Sequence, residues 1–239
     1  MNSDRSLQQW IQHFFSLFGP TNRVVIPKSE QRLAFLNAGI RMLEDAYEEN
    51  SVEHIFQRMA SVFARWCAVV EILIGFDVVK RLSSKYSAKC AYCGYRPCQC
   101  PRENRQEPKF ALADESQLLW SLKQWQDHFF SLYGEKNKAR GIDFALRRLF
   151  SEDSEVMSVW LWASVNGTRL SSLNATDYQD KLTSELCDVF AWICGLANLF
   201  ELDLQSAVSI QYNKGCRTCT KFPCVCQPFV YIGGDKKGV

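Results

Sequence analysis

Neither sign of charge dominates this chain. Lysine and arginine number 28, aspartate and glutamate 26, and the net charge is +2. That balance argues against a strongly electrostatic nucleic-acid or membrane binder, although it leaves room for a local patch. No apolar run reaches transmembrane length. Met1 to Ser16 lacks the basic-then-apolar layout of a signal peptide. The expectation is a soluble, cytoplasmic protein, in which thiols stay reduced. Strand-type alternation is also scarce. Apolar residues recur at spacings of three and four, so the expected fold class is all-α. What the chain does have is apolar residues, 47% of the total, and eleven cysteines. The first is ample for a packed core, in one large domain or two small ones. The second points to metal before disulfides.

The chain contains itself twice. LQQWIQHFFSLFGPTNR (Leu7 to Arg23) matches LKQWQDHFFSLYGEKNK (Leu122 to Lys138) at an offset of 115. Further on, Trp66, Asp77, Tyr86 and Cys90 match Trp192, Asp203, Tyr212 and Cys216 at an offset of 126, so the second half carries about eleven extra residues. The polar stretch Ser164 to Asp177 reads as the loop that holds them. Residues 1–100 form the first half and 117–226 the second. Residues 101–116, charged and proline-containing, read as a linker, and 227–239 as a tail. Each half has four expected helices. The first (4–18 and 117–133) ends at a glycine, a common terminator. The second is long (29–49 and 140–163). A third (52–75 and 177–200) and a short fourth (77–86 and 203–212) follow. Two such units would most simply pack about a pseudo-two-fold axis, as a homodimer does. The alternative is two beads on a string.

Each half closes on the pattern C-x2-C-x4-C-x-C: Cys90, Cys93, Cys98 and Cys100, then Cys216, Cys219, Cys224 and Cys226. Four thiolates suit one tetrahedral Zn²⁺ and leave no open coordination position, so each knuckle is expected to be structural. An iron–sulfur cluster and metal-free reduced cysteines are the alternatives. Zinc knuckles also occur in nucleic-acid binders. These lack the basic and aromatic density of that class, although Arg96, Arg102, Arg217 and Lys221 lie near. Cys67, Cys187 and Cys194 sit on apolar helices and read as core.

The second half also carries two acid pairs, Glu152 with Glu155 and Glu185 with Asp188. Residues three apart share a helix face. Two such helices side by side would bring four carboxylates together, and these repel unless cations sit among them. Hard oxygen ligands select Mg²⁺ or Mn²⁺. Read from the residues alone, two solvated acidic faces remain the alternative. E-x-x-E, then E-x-x-D on an apolar helix, then LANLFELDLQSAV (Leu196 to Val208) resembles the MazG-like branch of the all-α nucleoside triphosphate pyrophosphatases. WQDHFFSLYGEKN (Trp125 to Asn137) resembles the first helix of the subgroup with a C-terminal cysteine cluster. The resemblance covers nearly all of the second half and, weakly, the first. It implies Mg²⁺-dependent hydrolysis of a nucleoside triphosphate to monophosphate and pyrophosphate, with Glu152, Glu155, Glu185 and Asp188 as metal ligands. One departure is the 29 residues between Glu155 and Glu185, at or just past the family's usual upper end.

The first half departs further. Asn37 and Ile40 stand where Glu152 and Glu155 do, and Met59 and Val62 where Glu185 and Asp188 do. One active half and one degenerate half are expected. Trp125, His128, Asn198, Tyr212 and Lys214 are lesser candidates for base or phosphate binding. For each, the reading as a core aromatic, a helix cap or a surface lysine comes first. Trp10 and His13 repeat Trp125 and His128 where the acids are lost, which favours a structural role for that pair. Two chains could pair into a pseudo-tetramer. The rival function is a catalytically silent protein that binds nucleotide, nucleic acid or a protein partner.

Overall fold

The computed structural model describes residues 5–72, 77–100, 110–165 and 175–226. Ser6 and Ser121 start the two halves identically. Each hydroxyl caps the backbone N–H three residues on (Gln9, 3.3 Å; Gln124, 3.2 Å), and each of those glutamines returns a bond to the serine N–H. Such a reciprocal box satisfies two donors that a helix start leaves orphaned. The two serines also pair with each other in an antiparallel bridge. The helices they open are α1 (Leu7–Val25) and α5 (Leu122–Arg140), each of 19 residues.

Both run past the glycines expected to stop them. Gly19 and Gly134 lie inside their helices, and α1 continues through Pro20. Gly19 is buried, and a Cβ there would stand 3.0 Å from Glu71 Oε1, so the residue makes room for a neighbour. The stop in α5 is Gly141, whose φ of +80° suits glycine.

The remaining helices follow the expected order: α2 (Ser29–Glu48), α3 (Val52–Val70), α4 (Val78–Lys85), α6 (Ile142–Val165), α7 (Ala175–Leu199) and α8 (Leu204–Tyr212). Asp77 and Asp203 cap α4 and α8, accepting from backbone N–H groups at 3.0 and 2.7 Å. Among the described residues the chain is all-helical, with no strand. A 3₁₀ turn, Glu115–Leu119, completes the set. The end of the linker is pinned to α4, where Ser83 Oγ donates to Asp114 O at 3.0 Å. Residues 101–109, most of the expected loop (166–174) and the tail lie outside the described residues.

One apolar core contains residues of both halves, which removes the beads-on-a-string arrangement. Trp66 of α3 stacks near Phe190 of α7, with centroids 5.0 Å apart, and donates its indole N–H to Leu186 O at 2.9 Å. Cys67, Cys187 and Cys194 are fully buried in this core, as expected. Against the expectation that no apolar run reaches transmembrane length, an 18-residue window within Asp177–Leu199 has a mean hydropathy of 1.2, enough by length and composition alone to cross a bilayer. Of that window, 61% is buried inside the fold, so its apolar face meets protein.

Contacts between the halves come in matched pairs. His13 donates Nε2–H to Tyr212 O (2.9 Å), and His128 donates to Tyr86 O (2.8 Å). Cys224 N–H donates to Leu17 O and Cys98 N–H to Leu132 O, both at 2.8 Å. Each cysteine knuckle therefore seats on the first helix of the other half. Thr21 and Lys136, equivalent in the repeat, each donate to a carbonyl of the knuckle seated there, both at 2.6 Å.

Candidate metal centre and its acid-free counterpart

The buried stripe of α6 runs through Leu149, Glu152, Asp153 and Val156. It therefore draws Glu152 into the interior against α7. There Glu185 and Asp188, one turn apart, face it. Oxygens of Glu152, Glu185 and Asp188 all lie within 4.8 Å of one another. Glu155 is the exception among the four expected ligands. It falls outside the buried stripe, is exposed, and is not among the converging three. It stays close enough to repel Glu152 and Glu185.

Burial first, then the neighbouring Asp188, push the Glu152 carboxyl up to about 7, although Arg148 beside it opposes the shift. Burial and Asp188 likewise raise Glu185. Carboxyl groups raised in this way mark a site short of positive charge.

The other half supplies part of that charge. Lys85, at the end of α4, places Nζ 2.7 Å from Asp188 Oδ2 and also donates to Ser184 O (3.0 Å) and Ser184 Oγ (2.8 Å). Its side chain is only 3% exposed. Burial works against its charge, yet Asp188 together with other neighbouring groups offsets that and the lysine is held above its usual range. Tyr86 donates its hydroxyl to the second oxygen of Asp188, and burial raises its own pKa well above normal. His128 holds the Tyr86 carbonyl from behind.

Lys85 and Tyr86 were absent from the sequence-based site because they lie in the half without the two acid pairs. A signal was present. The tyrosine repeats as Tyr212, whereas Lys85 becomes Gln211. The lysine thus occurs only where it can meet acids across the interface. Asp153 was also missed. It is buried, burial pushes it up to about 6, and Asn37 Nδ2 donates to it at 2.8 Å.

Four of the five residues expected to bind base or phosphate are engaged in the protein's own packing and hydrogen bonds. Trp125 is fully buried in the core, packed against Trp120, Phe129 and Phe190. His128 is buried and supports Tyr86. Asn198 exchanges hydrogen bonds with Gln126 (3.1 and 3.0 Å) and so pins α7 to α5. Tyr212 is buried beside Phe14 and Phe18. Lys214 lines an open cleft of about 740 Å³ beside the second knuckle.

The donor chemistry of the acid site fits a hard divalent cation. All three converging groups are carboxylates, and Lys85 and Arg148 leave part of their charge uncompensated. The cysteine clusters fit a different ion. Their sulfurs stand 3.7 Å (Cys90–Cys100), 4.0 Å (Cys93–Cys98), 3.7 Å (Cys216–Cys226) and 3.8 Å (Cys219–Cys224) apart. A tetrahedron with ligands about 2.3 Å from its centre has edges of about 3.8 Å, whereas a disulfide would need about 2.05 Å. All eight cysteines are free. Backbone N–H groups point at the sulfurs, as from Gln99 to Cys93 (3.3 Å) and Thr218 to Cys216 (3.4 Å). Both clusters could hold a metal ion. Compared with protein-family models, curated proteins and solved structures, the chain matches none.

Proposed function

We propose that this chain is a tandem MazG-like pyrophosphohydrolase with one active centre. It would split a nucleoside triphosphate into monophosphate and pyrophosphate at Glu152, Glu185 and Asp188. The observation that carries this reading is the convergence of three carboxylates within 4.8 Å beside a buried lysine. The reciprocal contacts support a pseudo-dimer in which the acid-free half completes the site through Lys85 and Tyr86. Glu152, Glu185 and Asp188 would hold Mg²⁺ or Mn²⁺, which neutralises phosphate charge and makes a coordinated water more acidic. One of the glutamates beside the ion would act as the base toward that water. Lys85 and Tyr86 fix the Asp188 carboxylate, so its geometry is set before substrate arrives. Glu155, exposed beside the group, adds negative charge at the rim. Zn²⁺ is the ion we assign to both cysteine clusters, each as a structural knuckle.

A second reading has its own observation. Lys85 and Arg148 already pair with Asp188 and Glu152, as they would in a silent scaffold that binds nucleotide or a protein partner. Pyrophosphate release with Mg²⁺ over a panel of ribo- and deoxyribonucleoside triphosphates separates the two. The wild type should release pyrophosphate, and Asp188→Asn should lose at least about a hundredfold of the rate. No release by a folded, zinc-loaded wild type would sink the enzyme and leave the scaffold.

A further inference from the structure

We infer that a second nucleotide site, one that needs no divalent cation, lies where the first half meets the second knuckle. It is the open cleft of about 740 Å³ between α3 and the second knuckle. That volume is within the range of small-molecule sites. The inference does not depend on hydrolysis at the carboxylates.

The repeat explains why the cleft favours anions. The exit of α8 meets α3 as the exit of α4 meets α7, so Gln211 stands in the cleft where Lys85 stands at the acid site. Met59 and Val62, both buried behind the cleft and not lining it, replace the acids on α3. Acids and lysine are gone together, and the charge that remains around the cleft is mainly positive. Lys214 and Arg217 line it, against one carboxylate, Glu53, which accepts a bond from Gln57 Nε2 at 3.1 Å.

Arg217 is held in place by both halves. Its Nη1 donates to Gln211 Oε1 at 3.1 Å and its Nη2 to Gln57 Oε1 at 2.9 Å. Those side-chain partners are neutral amide oxygens, so the guanidinium is oriented without being neutralised. Its five N–H donors exceed these two bonds. A fixed guanidinium fork with spare donors matches the geometry of phosphate oxygens, and Lys214 adds a mobile point charge. The same cleft has an apolar wall, formed by Phe56 and by Ile210, which is 75% exposed. A phosphate alone would leave that wall wet. A flat base carrying phosphates would cover it while its anionic end met the fork. The chemistry selects a nucleoside phosphate.

The test is calorimetric titration of the full chain with each of the four ribonucleoside triphosphates, in buffer free of Mg²⁺ and Mn²⁺. Chelator is omitted, because it would strip the knuckle that bears Arg217. Pyrophosphate and the matching nucleoside are the control titrants. At least one triphosphate should bind, and tighter than either control. Arg217→Gln and, separately, Lys214→Gln should each weaken it, the first by about tenfold. Lys214→Gln alters only an exposed point charge, so it remains informative if the arginine variant misfolds. Asp188→Asn should leave this binding intact while it abolishes any pyrophosphate release, which keeps the two sites distinguishable. Absence of binding by every triphosphate would overturn the inference. So would binding that both cleft variants leave unchanged, or that pyrophosphate matches.

Discussion

Helices α3 and α7 hold equivalent positions in the repeat and meet the exits of α8 and α4 respectively, yet they have opposite characters. On α7 two acids face a buried lysine from the other half. On α3, Met59 and Val62 occupy those positions, and the crossing residue is Gln211. The surrounding framework is the same: a histidine on a tyrosine carbonyl, a knuckle on a first helix, an aspartate cap before the fourth helix. The fold therefore depends on the apolar pattern, the caps and the knuckles, and tolerates either set of charges. A buried cation and a buried anion tolerate each other's presence but not each other's absence. That is why acids and lysine are present together in one place and missing together in the other.

The knuckles, common to both halves, should give the largest effect when broken. Metal in such a site can contribute on the order of 10 kcal/mol to local folding. Cys224→Ser should release the second knuckle from α1, and Cys98→Ser the first from α5. Each loss is read as fast hydrogen exchange at that residue's own amide, now bonded to Leu17 O or Leu132 O. Native mass spectrometry should show two zinc ions in the wild type and one in each variant. Equal exchange before and after substitution would mean the knuckles are not metal-stabilised.

A smaller effect comes from unpairing the acid site. Lys85→Met leaves Asp188 partly buried without its cation and should cost about 3 kcal/mol in a denaturant titration. Gln211→Met, its counterpart, should cost under about 1 kcal/mol. The double variant Lys85→Gln with Asp188→Val copies the acid-free half. It should recover most of the stability lost in Lys85→Met while abolishing divalent-cation binding. If it were no more stable than Lys85→Met, the account of paired loss would fail.

The mildest test uses pH. Glu152 titrates at about 7 in the fold, above the ordinary carboxylate value of 4.5. The folded chain thus keeps a proton that the unfolded chain loses as pH rises through that interval. Metal-free stability should fall across it. Cation binding requires the deprotonated form, so Mn²⁺ affinity should rise by about tenfold between about pH 6 and about pH 8. Electron paramagnetic resonance of free Mn²⁺ reads this directly. A flat profile would place the ion away from Glu152.

Much of the fold was legible in advance. Apolar spacing at three and four fixed the helix type, and the repeat gave every helix a partner. The ends of α1 and α5 were misread because Gly19 and Gly134 resemble terminators locally, while their role is to admit neighbouring side chains. For the site, the residue types of Glu152, Glu185 and Asp188 were readable from spacing. The exposure of Glu155 was not, since it depends on which stripe of α6 turns inward. The repeat of Trp125 and His128 as Trp10 and His13 favoured a structural role for the pair, and burial places them in the core and on the Tyr86 carbonyl.

The sequence by itself determined the helices, the caps, the two four-thiol clusters and the asymmetry of acids between the halves. All of these follow from spacings within a few turns of one chain segment. Only the tertiary structure decided that Lys85 and Tyr86 serve acids about a hundred residues away, with Lys85 and Asp188 separated by 103 positions. It also decided that Arg217 is oriented by Gln57 and Gln211, one from each half. Charge pairing across an interface depends on distance in space, and that distance is set by how the shared apolar core packs the two halves together.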